Sequence, residues 1–215
     1  MSDIKTSILI VEDEESVRTS LEEVLTFFGY RTRSAADGLA ALKVIREEVP
    51  EILLSDLNMP AMSGFELLSI IHRRFPAIYV IAMSGMFTEN QIPTGVTADA
   101  FYKKGGGVGD LLKIVEARPL ERRELPDTPE PIWVQRNGHD VSGGEFVTIA
   151  CPECFRTFPQ AINGTTSLIL DTSCAFCDSR IHYGIVDPRG IEFPRRFQPA
   201  FAFAHPGTLI DRPSD

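Results

Sequence analysis

Four short apolar runs, each followed by a charged or hydroxyl residue, recur through the first half of this 215-residue chain. Their near-continuous β-branched and aliphatic residues are typical of strands that a parallel sheet buries on both faces. In chain order, residues 5–11 precede Glu12 and Asp13, residues 52–55 precede Asp56, residues 78–83 precede Ser84, and residues 100–103 precede Lys104. A fifth segment, residues 30–35, is the least apolar, and we expect it at an edge of the sheet.

The segments between these runs have apolar residues at helical spacing. Val17, Leu21 and Leu25 precede Gly29, and similar patterns follow Asp37 and begin at Phe65. Strands that alternate with helices predict an α/β fold with a doubly wound parallel sheet. Open sheets of this kind place reactive groups at the carboxyl ends of their strands. We therefore expect the three acids, the hydroxyl and the amine to gather at one edge.

This set of residues resembles the receiver domain of two-component response regulators, over roughly residues 1–118. The resemblance implies a five-stranded, flavodoxin-like fold. It also implies that Asp56, in an Asp-x-x-Met-Pro turn, accepts a phosphoryl group from a sensor histidine kinase or a phosphotransfer protein. Ser84 matches the strand-end hydroxyl, Lys104 the family's lysine, and Phe101 the aromatic residue that switches position with the hydroxyl.

The acidic residues also predict a magnesium site. Three carboxylates repel one another by roughly 4 kcal/mol per pair at ~4 Å, so a hard divalent cation is needed among them. Oxygen ligands and phosphoryl transfer favour Mg²⁺ over zinc. By the resemblance, Glu12, Asp13 and Asp56 hold the ion with the main-chain carbonyl of Asn58. Taken singly, the acids suit a helix start and Lys104 a solvated surface, and only their joint occurrence indicates a site.

Two segments depart from the receiver pattern. A helix is expected between Ser84 and Lys104, yet residues 86–97 include Pro93 and Gly95 and have little helical period. After Lys104, where the family usually has proline, this chain has Gly-Gly-Gly-Val-Gly. We interpret residues 105–109 as a flexible connection, because no Lys-Ser/Thr follows to make a phosphate-binding loop.

Four cysteines in the second half have the pattern C-x₂-C-x₁₉-C-x₂-C, the spacing of a structural zinc site. They are Cys151, Cys154, Cys174 and Cys177. Disulfides or an iron–sulfur site are the alternatives. Four thiolates leave no open position for water, so a zinc ion here would be structural. We expect His182 to be a packing residue rather than a ligand.

The cysteine segment resembles a zinc ribbon, which implies a second, small β-rich domain over residues 132–192, with strands near residues 146–150 and 181–186. In sequence the two cysteine pairs share only their ligands. The roughly 30 residues that span the two cysteine pairs cannot build a self-sufficient core, and metal binding, worth ~10–16 kcal/mol in zinc modules, would largely decide whether this part folds. Residues 119–131 are predicted to be a proline-rich linker. The aromatic, proline-rich tail 193–215 is expected to fold back over the ribbon, with a docking arm as the alternative.

The net charge of the chain indicates which kind of partner it can bind. The net charge is -9, and residues 119–215 contain 9 Lys and Arg against 13 Asp and Glu. DNA affinity depends on basic contacts to phosphate, so the acidic balance argues against DNA as a partner. We expect a phosphorylation switch that signals through protein–protein contacts, and phosphorylation-dependent homodimers are compatible with it. The alternative is a transcription regulator that binds DNA through the ribbon or a small cluster such as Arg195 and Arg196.

The sequence fits other classes of protein, such as enzymes and membrane or secreted proteins, less well. The second half offers no nucleophile, base or open metal position, so we expect no enzyme beyond self-phosphorylation and self-dephosphorylation of the receiver. Apolar runs are shorter than the ~20 residues of a membrane crossing, and no signal peptide precedes the first strand. A cytoplasmic protein of bacterial type, without membrane contact, is the expectation.

Overall fold

The computed structural model describes residues 6–85, 98–119, 131–139, 144–162 and 169–186. Its first five strands are β1 (Ser7–Val11), β2 (Arg31–Ala35), β3 (Ile52–Asp56), β4 (Tyr79–Ser84) and β5 (Ala100–Lys103). They form one parallel sheet in the order β2-β1-β3-β4-β5. The predicted five-stranded parallel sheet is confirmed, and the weakly apolar β2 lies at its edge.

The helices of the described part are α1 (Glu15–Phe27), α2 (Gly38–Glu47), α3 (Gly64–Arg74) and α4 (Val108–Glu116). Asp37 and Ser63 cap α2 and α3, because their side-chain oxygens accept main-chain N–H hydrogen bonds of the first turn. The glycine-rich connection before α4 is shorter than predicted, since Val108 and Gly109 already belong to the helix. The irregular segment 86–97 lies outside the described residues.

Apolar residues on the two faces of the parallel sheet form its core, because successive strand residues point to opposite sides. On one side, residues of β1 and β3 pack with Leu25 of α1 and Leu111 of α4. On the other side, Leu9 and Leu53 belong to a cluster with residues of α2 and α3. Helices therefore cover both faces, which is the predicted doubly wound arrangement.

A second five-stranded sheet follows. Its strands are β6 (Ile132–His139), β7 (Glu145–Ala150), β8 (Thr157–Ala161), β9 (Ile169–Ser173) and β10 (Arg180–Val186), in the order β8-β7-β6-β10-β9. Only β6 and β10 pair in parallel. The Thr172 hydroxyl on β9 donates to Gln160 Oε1 on β8 at 2.6 Å, so the two edge strands approach each other. The sequence predicted β7 and β10 but not β6, β8 or β9.

The second sheet packs directly against α3. Trp133 and Val147 lie in the same apolar cluster as Leu67 and Ile70 of the helix. The Trp133 N–H donates to the Ser69 hydroxyl at 3.3 Å. The two sheets therefore share one core through α3.

Two segments predicted from the sequence extend beyond the part of the chain that the structure describes. Residues 120–130 of the predicted linker and the whole tail 193–215 lie outside the described residues. Among the described helices, none combines the length and apolar character that a membrane crossing requires.

Candidate functional site

Three carboxylates converge at the carboxyl edge of the parallel sheet. Carboxylate oxygens of Glu12, Asp13 and Asp56 lie within 4.8 Å of one another. The reason is topological: β1 and β3 are neighbours, with Val11 paired to Ser55, so the residues that follow both strands lie side by side. Glu12 and Asp56 are buried and Asp13 is exposed, which leaves the cluster open to solvent on one side.

Lys104 joins two of these acids. Its Nζ donates to Asp56 Oδ2 at 2.7 Å and to Glu12 Oε1 at 2.9 Å. Burial alone would lower the pKa of Lys104, but these hydrogen bonds and the two negative charges outweigh it and the pKa is raised. The ammonium therefore stays charged at neutral pH and lies directly against the carboxylate of Asp56.

The carboxyl group of Glu12 is buried beside the negative charge of Asp56. Burial raises the pKa of its carboxyl, the Lys104 hydrogen bond opposes this, and the charge of Asp56 raises it further. The Lys104 ammonium approaches Glu12 Oε2 to 2.6 Å as an ion pair. Among the described residues, however, Oε2 has no hydrogen-bond partner, although it is buried. A cluster of three carboxylates, two of them buried, fits a hard cation such as Mg²⁺, which prefers oxygen ligands.

Arg18 is a residue of this site that sequence reasoning missed. Its guanidinium donates to the main-chain oxygen of Glu12 at 2.7 Å and to that of Asp13 at 3.2 Å. These bonds hold the turn between β1 and α1 in place and put a positive charge beside the acids. No motif marks the residue, because an arginine in the first turns of a helix is common.

The remaining predicted residues lie around the same edge. Ser84 ends β4 and is buried, and its main-chain oxygen accepts a hydrogen bond from the Lys104 N–H at 2.9 Å. Asn58 follows β3, where its N–H donates to Asp56 Oδ1 at 3.2 Å. Phe101 is buried in the cluster on the α2 and α3 side of the sheet. The structure thus places each of them at a strand end or in the core beneath it.

Gly64 lets α3 begin directly against the predicted acceptor. A Cβ at this position would overlap the main-chain oxygen of Asp56 and lie 2.6 Å from Leu57 Cα. The Gly64 N–H also donates to the Leu57 oxygen at 3.1 Å. Only a residue without a side chain permits this contact.

The four cysteines form a second cluster, at the end of β7 and between β9 and β10. Their Sγ atoms lie within 4.8 Å of one another. Sγ of Cys151 is 3.7 Å from that of Cys177, and Sγ of Cys154 is 3.7 Å from that of Cys174. Tetrahedral zinc with Zn–S bonds of about 2.3 Å separates its sulfurs by about 3.8 Å. The spacing therefore fits one tetrahedral metal ion.

The two cysteine pairs lie in turns with the same backbone geometry, a likeness that goes beyond the shared ligands seen in sequence. Phe155 and Asp178, four residues after Cys151 and Cys174, both have a positive φ, 57° and 58°. The N–H of Phe155 donates to the main-chain oxygen of Cys151, and the N–H of Asp178 donates to that of Cys174. In both turns, the Sγ of the first cysteine accepts a hydrogen bond from the N–H of the residue two positions later. The repeat was invisible in sequence because neither positive-φ position is glycine.

The thiols differ in acidity. Burial raises the pKa of Cys151 to about 12, whereas hydrogen bonds with Ser179 lower that of Cys177 to about 6. A bound metal ion would remove all four protons, since thiolate is the ligand form. His182 does not belong to the cluster. It is half-exposed rather than packed, and its Nδ1 lies 2.9 Å from Asp171 Oδ1 across the β9–β10 pair.

Comparisons with known proteins find a matching family and relatives for the first half of the chain. Residues 8–116 match the family model of the response regulator receiver domain. Transcriptional regulatory protein AfsQ1 of Streptomyces coelicolor is 31% identical over 117 residues, 54% of this chain and 48% of that protein. Sporulation initiation phosphotransferase F of Bacillus subtilis is 44% identical over 61 residues, 28% of this chain and 49% of that protein. The chain spans just under half the length of these two curated relatives.

A solved structure of chemotaxis protein CheY4 of Vibrio cholerae is also similar. It is 26% identical, the match covers 52% of this chain and 97% of that one, and the TM-score is 0.48.

Proposed function

Because the chain belongs to the response regulator receiver domain family through residues 8–116, we propose that it is a phosphorylation switch whose acceptor is Asp56. A sensor histidine kinase or a phosphotransfer protein supplies the phosphoryl group. The observation that carries this proposal is the pair of hydrogen bonds from Lys104 to Asp56 and Glu12, within a cluster of three carboxylates that fits a cation.

The chemistry follows from the positions of these groups. A carboxylate oxygen of Asp56 attacks phosphorus in line as the bond to the donor breaks, and an acyl phosphate forms. Lys104 already lies at Asp56 Oδ2 and stabilises the charge on the transferred oxygens. Ser84, at the end of the neighbouring strand, donates a hydrogen bond to the product. Glu12, Asp13, Asp56 and the Asn58 carbonyl hold Mg²⁺, which supplies charge neutralisation for the incoming group.

Acetyl phosphate with Mg²⁺ tests the acceptor. We expect the wild type to gain one phosphoryl group by intact mass and Asp56→Asn to gain none. Lys104→Met should phosphorylate about 10²-fold more slowly, because a preorganised cation is lost. The neighbouring exposed Lys103→Met is the matched control and should behave as wild type. Full phosphorylation of Asp56→Asn would place the acceptor elsewhere.

We further propose that the four cysteines bind one structural Zn²⁺ and that residues 132–192 are a zinc-ribbon-like domain, with 119–131 as its linker and 193–215 as a tail. The support is the 3.7 Å sulfur spacing and the shared geometry of the two turns. The wild type should bind one Zn²⁺ per chain, and Cys174→Ser should bind it far more weakly in a chelator competition. Equal zinc content in both proteins would reject this ligand set.

The output we propose is a change in protein–protein contacts after phosphorylation. A pull-down that compares phosphorylated and unphosphorylated protein tests it. DNA binding is the second candidate, and it is favoured by the likeness to the Streptomyces relative, which is named a transcriptional regulatory protein. The 9 basic and 13 acidic residues of positions 119–215 oppose it. A salt-dependent mobility shift with duplex DNA at physiological ionic strength would favour the second candidate over the first.

A further inference from the structure

Helix α3 is buried on all sides along most of its length. Each of residues 64–71 is buried, without the exposed stripe of a surface helix. One side of the helix packs on the parallel sheet and the other meets the second sheet. Two polar residues, Glu66 and Ser69, lie in the second contact and are only 3% and 7% exposed. The helix is therefore an internal element shared by both halves.

Glu66 connects α3 to the cysteine cluster. Its Oε1 accepts the N–H of Ala150 at 2.6 Å, and Ala150 is the last residue of β7, immediately before Cys151. A buried carboxyl with such a bond is difficult to replace, because its loss leaves the main-chain N–H without a partner.

Further contacts reach the first cysteine turn from the end of α3. Arg74 forms an ion pair with Glu153 at 3.0 Å, and the rings of Phe75 and Phe155 stack with their centres 6.2 Å apart. Both partners lie between or just after Cys151 and Cys154. The C-terminal end of α3 is thus attached to the turn that holds two of the four sulfurs.

The other end of α3 is attached to the phosphoryl site. Gly64 lies against the main chain of Asp56, and its N–H donates to Leu57. One helix of 11 residues therefore touches both the predicted acceptor and the strand that leads to the cysteines.

We propose that the cysteine centre is a second input to the switch: metal occupancy of the four thiolates and loading of the Asp56 site strengthen each other through α3, with Glu66 as the positioning residue between them. This rests on the proposed phosphorylation of Asp56. Small thiolate modules lose their fold without metal. Loss of the second sheet's packing would uncover the apolar side of α3 and remove the support of the Asp56 turn. Linkage requires the effect to be equal in both directions.

The experiment uses the full chain in metal-free and zinc-loaded form. Beryllofluoride with Mg²⁺ serves as a reversible mimic of the phosphoryl group, and its Kd is measured in both forms. The Kd for Zn²⁺ is then measured against a chromophoric chelator, with and without beryllofluoride. We expect zinc to tighten beryllofluoride binding about fivefold or more, and beryllofluoride to tighten zinc binding by the same factor.

Variants assign the effect to Glu66. Glu66→Ala should reduce the coupling factor toward one. Glu66→Gln keeps an oxygen that can accept the Ala150 N–H, so its coupling factor should equal that of the wild type. Glu23→Ala, an exposed glutamate of α1, is the control and should leave the factor unchanged. If Glu66→Ala does not fold, the reciprocal Kd values of the wild type still decide whether the two sites are coupled, and loss of coupling in Glu66→Gln would contradict the role of the Glu66 oxygen.

The outcomes separate the two proposals. Equal beryllofluoride Kd values with and without zinc would overturn the coupling, while phosphorylation of Asp56 by acetyl phosphate in both forms would leave the proposed function intact. No phosphorylation and no beryllofluoride binding in either form would overturn both.

Discussion

The buried carboxyl of Glu66 links the stability of the molecule to pH. Burial raises its pKa from 4.5 to about 8, and the hydrogen bond from the Ala150 N–H opposes this only in part. Because the folded pKa exceeds the unfolded one, the folded state binds more protons between these values. The free energy of unfolding therefore falls as pH rises from about 4.5 to about 8.

Glu66→Gln should remove that dependence. Glutamine is uncharged at every pH and keeps the acceptor oxygen, so the variant should gain stability relative to wild type by up to ~1.4 kcal/mol per pH unit across this window. Urea unfolding of both proteins at pH 5, 6, 7 and 8 measures the difference. A difference that stays constant with pH would show that Glu66 does not change its protonation on unfolding.

Among the helices and strands, an element could be predicted from the sequence when interactions between residues close in the chain determine it. The inner strands β1 and β3 have their own signal, since both faces are buried and most of their residues are apolar. Their order and direction then bring the acids together without further information. The helix start at Asp37 was equally local, because its cap is a side-chain bond within one turn.

The strands β6, β8 and β9, and the contact of the second sheet with α3, had no such local signal. β8 contains Pro159, which reads against a strand and is tolerated because β8 lies at an edge. In α3, Glu66 and Ser69 look like the polar side of an amphipathic helix. They are buried because main-chain N–H groups of distant strands satisfy them, and only the fold supplies those partners. Arg18 was missed for a similar reason, since it binds main-chain oxygens.

The start of α3 gives a test at this scale. Gly64→Ala should destabilise the protein by more than ~2 kcal/mol, because the new Cβ would overlap the Asp56 oxygen and force the helix away from the acceptor turn. Gly109→Ala is the matched control. It lies in α4, and no atom of the described residues comes within 4 Å of its ideal Cβ, so alanine there should stabilise by ~0.5–1 kcal/mol. Denaturant unfolding measures both, and equal effects would contradict the close contact at Gly64.

At the scale of the whole molecule, the shared core predicts that the two sheets unfold together. Trp133 is the only tryptophan, is 2% exposed, and lies where β6 meets α3, with its ring against Gly184 of β10. Its fluorescence therefore reports the contact between the sheets. The helices of the described residues all lie within positions 15–116, so far-UV circular dichroism at 222 nm, a wavelength sensitive to helix, reports that part of the chain.

We expect the two signals of the zinc-loaded protein to change in one coincident transition during denaturant unfolding. Two sheets joined by a buried helix cannot separate without exposing its apolar side to water. Cys174→Ser should shift the fluorescence transition to lower denaturant and, because α3 loses packing, draw the circular dichroism transition with it. If the circular dichroism midpoint of Cys174→Ser equals that of wild type while the tryptophan is already solvated, the halves are energetically independent. In that case the contacts of α3 with the second sheet contribute no stability to the parallel sheet.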